Sequence, residues 1–546
     1  MNPNRKSPSL AKRATVAALV LGSFYVTTGL LALALLPIPV LAFLKMQHFK
    51  LMPLLLLTAC CWITAYGLLS GLLSVRPPRF SEPGLPLRRE DAPSLFALID
   101  ELARRAGTAP PSAVYVSALP VLFVAETGGG FFGSNSKRVL CIGAPYLATF
   151  SVAELRSVLA HELGHYVGGD TRVAGILAYT ENAFRSVLQS TEENPLYGDT
   201  IHWTIDLGKK LASFVGESLV KIFAKIYLVI TRPMGRREEL AADALSAELA
   251  GRDVAIRALE SAHVIAPLYQ AYLDNEVGSA VEFSVMPTDL VDGFFRFRER
   301  LALHGKLAEL TRAVNEEKTD PFDTHPALAE RVAALSALPA GQAFVVDASA
   351  RTLLDGAFNL DTWLVEAMTS LVEVPAHKPL RHVTWRELHE HVMPAQIQVS
   401  ARATAAKLFP YFPHARSFGA MLGALVGAYD AGRVYELAAV AEPDVRNVAP
   451  HQAHEVHLAI AAVTALSLFE GALLDRGAII EESLGERCRV FRLGNETVRA
   501  GAIALDSMKN PIARAELSRW TALLSSDVAA PGLGSPEVPA AYVPSA

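Results

Sequence analysis

His161-Glu162-Leu163-Gly164-His165 sets two imidazoles four residues apart, with a carboxylate beside the first. On a helix, residues i and i+4 share a face, so both rings can reach one Zn²⁺ at about 2.0–2.1 Å. Glu162 is rotated about 100° from His161, which places its carboxylate beside the metal, where it can take a proton from an activated water. Two histidines leave a catalytic zinc one protein ligand short. A helical Glu followed one turn later by Asp supplies it: the first carboxylate ligates, and the Asp orients a ligand imidazole through its other nitrogen. Glu239 and Asp243, in "MGRREELAADALSAELAG", have this spacing, and Glu239 lies 74 residues after His165. Glu238 has Ala242 one turn on and lacks such a partner. Each motif alone also fits a plain amphipathic or solvated helix; their combination is what points to a metal.

The elements that must carry these residues are legible around them. Ser151 and Glu154 form a capping-box pattern. Leu155, Val158, Leu159, Leu163 and Val167 supply the apolar face of the helix, and Gly168-Gly169 stops it. Upstream, "SLFALIDELARRAG" reads as a helix ended by Gly107, followed by β-rich "SAVYVS", "VLFVAE" and "KRVLCIG". The glycine-rich "TGGGFFGSNS" between the last two reads as a hairpin turn; with no Lys-Ser/Thr after it and no helix starting there, it is a poor phosphate cradle. Beyond Ala250 the chain reads as mainly helical to about Leu338. After Pro339 comes a mixed region with strand-like "QAFVVDA" and "CRVFRLGNETVRAGAIAL", then a tail from 528 that is disordered by composition. The histidines of "RELHEHVM" and "HQAHEVHLAI" miss the HExxH spacing and read as surface or partly buried.

Composition adds a membrane. Apolar residues make up 51% and charged residues 19%, and mean hydropathy is +0.27, more apolar than a typical soluble protein. The net charge of -5 and the lack of a Lys/Arg stripe interleaved with aromatics argue against nucleic acid as a partner. Four scattered cysteines without CxxC form neither a disulfide framework nor a thiolate site. Ala14 to Leu44 is 31 residues without a charge and Leu51 to Val75 another 25, each long enough for the roughly 20 residues a span needs. Pro37 and Pro39 should end the first helix near Leu36. Four, two and four positive charges before, between and after the runs favour a hairpin with both ends in the cytoplasm. A third apolar run, Leu211 to Ile230, carries Glu217, Lys221 and Lys225 as one stripe, and reads as an amphipathic helix lying on the domain core or on the bilayer rather than a span.

The set of HELGH with Asp170 five residues on, "RREELAAD" and "DTHPALAERVAAL", arranged behind a membrane hairpin, resembles the HtpX and CAAX prenyl protease family of membrane zinc metalloendopeptidases, over about residues 14 to 338. The resemblance implies one Zn²⁺ held by His161, His165 and Glu239, Glu162 as catalytic base, and Asp243, Asp170, Arg236 and Arg331 around them. It also implies His325 near the reaction centre, where it would stabilise the oxyanion; the same "DTHP" fits a helix start. Val121-Leu122-Phe123 stands where the family's substrate-binding edge strand reads Asn-Ala-Phe. The expected fold is mainly α with a small β-sheet: a basic tail (1–13), a transmembrane hairpin (14–75, spans about 14–36 and 51–75), a linker (76–91), a zincin-like peptidase domain (92–338), a C-terminal mixed α/β domain (339–527) and a tail (528–546). The implied function is a zinc endopeptidase of the cell inner membrane that faces the cytoplasm and cleaves polypeptides. The C-terminal domain would be free for self-association or a partner. The rival is a non-catalytic membrane scaffold with a structural zinc site and a partner-binding C-terminal domain.

Overall fold

The computed structural model describes residues 8–45, 51–74, 82–127, 137–168, 183–184, 186–187, 203–316, 326–340, 348–354, 358–372, 379–441, 450–486 and 488–525. It is mainly helical with three small sheets, the α+β class expected, and its contacts divide into two compact units. Residues 1–269 and 308–367 form the first, and 270–307 with 368–546 form the second.

The first unit begins with α1 (Pro8–Leu35), α2 (Ile38–Lys45) and α3 (Leu51–Leu73). α1 ends where the Pro37–Pro39 pair requires. The windows of Ala18–Lys45 and Leu51–Leu73 are long and apolar enough to cross a membrane and only 17% and 33% buried. His454–Asp475 passes the same test, but 61% of it is buried in the second unit, where Glu470 is clasped by Arg489 at 2.8 Å. Its apolarity is that of a core helix.

The small sheet has strand order β1 (Leu85–Leu87), β2 (Ala113–Ser117), β4 (Lys137–Gly143), β3 (Leu122–Thr127). β2 and β4 are parallel, and β3 pairs antiparallel with β4 as the hairpin reading requires. That leaves β3 on the edge. α4 (Pro93–Ala106) ends at Gly107, whose φ of 72° is open to glycine. α5 (Ala144–Thr149) then leads into α6 (Val152–Gly168).

The largest departure from the sequence reading is α7. The apolar run at 211–230 and the helical stretch that carries Glu239 and Asp243, treated apart in the sequence, are one helix of 48 residues, Trp203–Ala250. Its first half packs on the hairpin: Val215, Leu219, Val220, Phe223 and Ala224 join Val20, Leu21, Phe24, Ala65 and Leu68 in one apolar cluster. Phe24 lies at its centre, 4.8 Å from the Phe184 ring and 5.3 Å from the Phe223 ring. Lys221 and Glu217 pair with each other on the outward side. α8 (Arg252–Tyr272) follows.

The second unit takes residues 270–307 out of the segment read as 92–338. The reason is non-local: Val285–Pro287 pairs in parallel with Arg381–Val383, and the Trp385 indole donates to Tyr272 Oη at 3.0 Å. Around this lie helices at 393–408, 418–430, 450–475 and 511–525 and a three-stranded sheet. The strand reading of "CRVFRLGNETVRAGAIAL" holds for Val490–Leu493 and Glu496–Arg499, whereas Ala500–Ser507 is helical. "QAFVVDA", apart from its last residue, and the C-terminal tail lie outside the described residues.

Candidate metal centre

α6 starts with the reciprocal cap its sequence calls for: Glu154 N–H donates to Ser151 Oγ at 3.2 Å, and Ser151 N–H to Glu154 Oε2 at 2.9 Å. Three turns on, the helix presents His161 and His165, ring centroids 5.0 Å apart and planes at 87°. α7 crosses α6 at this level. A Cβ on Gly164 would lie 2.9 Å from Ala242 Cα, closer than side chains tolerate, so the crossing depends on a glycine between the histidines. Ala242 in turn sits between Glu239 and Asp243 on α7. A close approach of the two helices therefore falls where both candidate ligand-bearing stretches meet.

Glu239 Oε2 is 3.5 Å from His161 Nε2, and Oε1 is 3.8 Å from His165 Nε2. The ligating atoms of these three residues all lie within 4.8 Å of one another. Donors about 2.0–2.1 Å from a common tetrahedral ion stand roughly 3.3 Å apart, so the triad needs little movement to close on one. Two imidazoles and a carboxylate are also the donor set a catalytic divalent cation takes.

Behind the ligands runs a chain of hydrogen bonds. His161 Nδ1 is 2.9 Å from Asp243 Oδ1, and Arg331 donates to both Asp243 oxygens, at 2.8 Å from Nε and 2.6 Å from Nη2. Arg331 Nη1 also lies 3.4 Å from Glu239 Oε2. An Nδ1–H directed at Asp243 leaves the Nε2 lone pair for a metal, which fixes the useful tautomer. Burial opposes a charge on His161, yet the Asp243 and Glu239 carboxylates override it and push its pKa up to about 9; the same carboxylates would hold a divalent cation. Burial also disfavours charge on Asp243, but hydrogen bonds from Arg331 and His161 hold it below the usual carboxylate range. Glu162, buried, is held above that range because burial outweighs the attraction of His165 and His161.

Glu162 and His161 line a cavity of about 410 Å³ whose other walls include Val121, Leu122 and Phe123 at the edge strand. Of the residues singled out in the sequence, the fold brings together His161, Glu162, His165, Glu239, Asp243 and Arg331. Arg236 makes a long ion pair of 3.9 Å with Glu330. Asp170 and His325 lie outside the described residues.

Three supports escaped the sequence reading. Arg156, 1% exposed, donates to Leu249 O at 3.0 Å and forks onto Glu101 at 2.9 and 2.7 Å, tying α6 to α4 and to the end of α7. Ser157 and Ser246 meet through their hydroxyls at 2.7 Å. Tyr166 Oη donates to Val139 O at 2.6 Å, fastening α6 to the sheet. Only Arg156 left a trace in the sequence, as a charge on the same helix face as Leu159 and Leu163.

Residues 91–338 match the model of Peptidase family M48. A "Protease HtpX homolog" from Persephonella marina is 30% identical over 186 residues, covering 33% of this chain and 61% of that protein. A second, from Gemmatimonas aurantiaca, is 28% identical over 255 residues, 46% of this chain and 77% of that one. The crystal structure of S. mikatae Ste24p superposes with a TM-score of 0.25 at 19% identity, covering 46% and 51% of the two chains, too poor a fit to carry weight. The chain thus spans about three fifths of the Persephonella relative. The family match, the relatives and the HExxH/ExxAD pairing converge: over residues 91–338 this chain is similar to the HtpX and CAAX prenyl protease-like members of Peptidase family M48.

Proposed function

We propose that the chain is a membrane-anchored zinc endopeptidase with its site on the cytoplasmic side of the cell inner membrane. The observation that carries this is the meeting of His161, His165 and Glu239 beside the buried Glu162, at a cavity lined by Leu122 and Phe123 of the edge strand β3. His161, His165 and Glu239 would hold the ion, which when bound supplies Lewis acidity toward a peptide carbonyl and an attacking water. The remaining work falls to side chains. Glu162, its proton affinity raised by burial, takes a proton from water on its carboxylate and passes it to the leaving amine. Asp243 keeps His161 in the ligating tautomer, and Arg331 keeps Asp243 charged and in place. β3, the edge strand among the described residues, suits capture of an extended polypeptide by strand addition. His325 is assigned to the oxyanion on the strength of its "DTHP" context alone, with Asp170 and Arg236 as supporting residues. The substrates are misfolded or regulated membrane and cytoplasmic proteins. Residues 339–527 serve self-association or a partner.

The test compares wild type with Glu162→Gln, full length in detergent, for bound zinc and for cleavage of casein. Retained zinc with cleavage lowered by at least about 100-fold supports the peptidase. Zinc with equal, negligible cleavage in both favours the scaffold.

A further inference from the structure

The Phe223 ring of α7 meets the Phe24 ring at 5.3 Å, in the cluster that also holds Leu68. Phe24 stands six residues inside the first apolar window and Leu68 five residues from the end of the second, about 8 Å below the edge of the hydrocarbon at 1.5 Å per residue. α3 and α7 both lead toward the peptidase residues, so earlier positions on α7 lie deeper. Glu217 is about 9 Å deeper than Phe223, near the middle of a hydrocarbon core about 30 Å thick. The outward side of α7 differs from that of α1. On α1, the exposed Leu19, Val26, Leu30 and Leu33 are all apolar, as contact with lipid requires. On α7, Lys221 and Lys225 are exposed among the described residues beside Phe214 and Ile222, and Glu217 pairs with Lys221. Resting on the membrane-anchored reading above, we infer that this charged face packs, inside the bilayer, against the same face of a second copy of the chain.

Lipid tails satisfy none of the hydrogen-bonding capacity of these groups. A carboxylate offers about four acceptor positions and an ammonium three donors. One contact between Glu217 and Lys221 therefore leaves most of both unmet. Snorkelling relieves only part of this. Lys225, nearest the interface, can extend to the headgroups, whereas Glu217 is short, deep and of the same sign as anionic headgroups. A second copy meets the deep pair. Two chains inserted the same way are related by a two-fold axis along the membrane normal, so their α7 helices run parallel. Positions one turn apart then face each other across the pair, and Glu217 of each copy stands within reach of Lys221 of the other. The stripe is self-complementary because it carries both signs one turn apart. Ser218, between Phe214 and Lys221 on this face, is small, which lets the two backbones approach.

The experiment co-expresses full-length chains carrying two different affinity tags, extracts the membranes in mild detergent and scores co-purification of the tags. Wild type should co-purify. Glu217→Lys alone and Lys221→Glu alone, each setting like charges against each other, should lower co-purification by about 10-fold or more. A Glu217→Lys chain co-expressed with a Lys221→Glu chain should regain most of it, because the opposite signs meet again. Where charge reversal stops a variant from folding, Ser218→Cys decides, since a two-fold axis sets this position opposite its own counterpart. Oxidised in native membranes, it should form a disulfide-linked dimer above the background that the four native cysteines give in wild type. No Ser218→Cys dimer above that background overturns the interface. Co-purification that either charge reversal leaves intact overturns it too, by placing the contact elsewhere. So does a monomer that retains anionic phospholipid and loses it in Lys221→Gln, which makes lipid the occupant. Each of these results leaves the membrane anchoring standing; release of wild type from membranes by alkaline carbonate overturns both.

Discussion

The HELGH and RELHEHVM segments both set histidines beside acidic residues on a helix, and they use them differently. In α6, His161 and His165 sit four apart and meet Glu239 from a second helix. In the second unit, His389 and His391 lie on a single turn of π-helix, Leu388–Val392. There His389 is buried, its Nδ1 lies 2.7 Å from Trp385 O, and burial together with nearby Arg296 and Arg489 holds its pKa below the ordinary value despite that bond. Buried carboxylates show the same divergence. Asp243 is clasped by Arg331 and stays charged. Glu276, whose partner is the backbone N–H of Gly485, is pushed by burial up to about 7. Residue type does not make a site; convergence from a second element, with a cation behind it, does.

The comparison can be broken most directly by deleting one histidine from each region. His165→Ala should lose bound zinc, with affinity falling more than about 100-fold in chelator competition, whereas His389→Ala should keep full zinc and lose thermal stability. Zinc loss from His389→Ala would erase the distinction. Next in size is Asp243→Asn, which keeps shape but weakens the hold on His161 and the attachment of Arg331; zinc affinity should drop about 10–100-fold. Gly164→Ala should follow at about 10-fold, because the new methyl separates α6 from α7 at the ligands. Ala242→Gly in the same chain should recover part of the loss, and an unaltered affinity in the single variant would show that the crossing has slack.

A separate readout, stability against pH, concerns Glu276. Its folded pKa, about 7, exceeds the ordinary 4.5. Its contribution to stability is therefore complete below about pH 4.5 and lost as pH rises through about 7. Glu276→Gln, neutral throughout, should raise the melting temperature of the second unit by several degrees at pH 8 and little at pH 4.5. Equal shifts at both pH values in calorimetry would mean that charge is not the cause.

How much was legible in the sequence follows the range of the interactions. The cap at Ser151, the end of α1 before Pro37, the β3–β4 hairpin and both metal-binding motifs depend on neighbours within a few residues, and each is where spacing puts it. Arg156 reaching Leu249, Ser157 meeting Ser246 and Gly164 abutting Ala242 join positions 78 to 93 residues apart, which no periodicity encodes. The grouping of 270–307 with the C-terminal unit rests on strand partners 96 residues apart. The continuity of α7 was hidden for another reason: its two halves have different compositions because they pack on different neighbours, one on apolar helices and one on a polar cluster.

That continuity bears on how the peptidase region can be handled. Glu239 arrives on the same rod whose other end is wedged against Phe24 and Leu68. At 1.5 Å per residue, α7 is about 70 Å long. A soluble fragment cut to residues 92–338 would carry Val215, Leu219, Val220 and Phe223 stripped of their apolar partners. Such a fragment should self-associate through that bare surface, or bring Glu239 to the candidate site on a frayed support. The hairpin at the N-terminus thus also supports α7, the helix that carries Glu239.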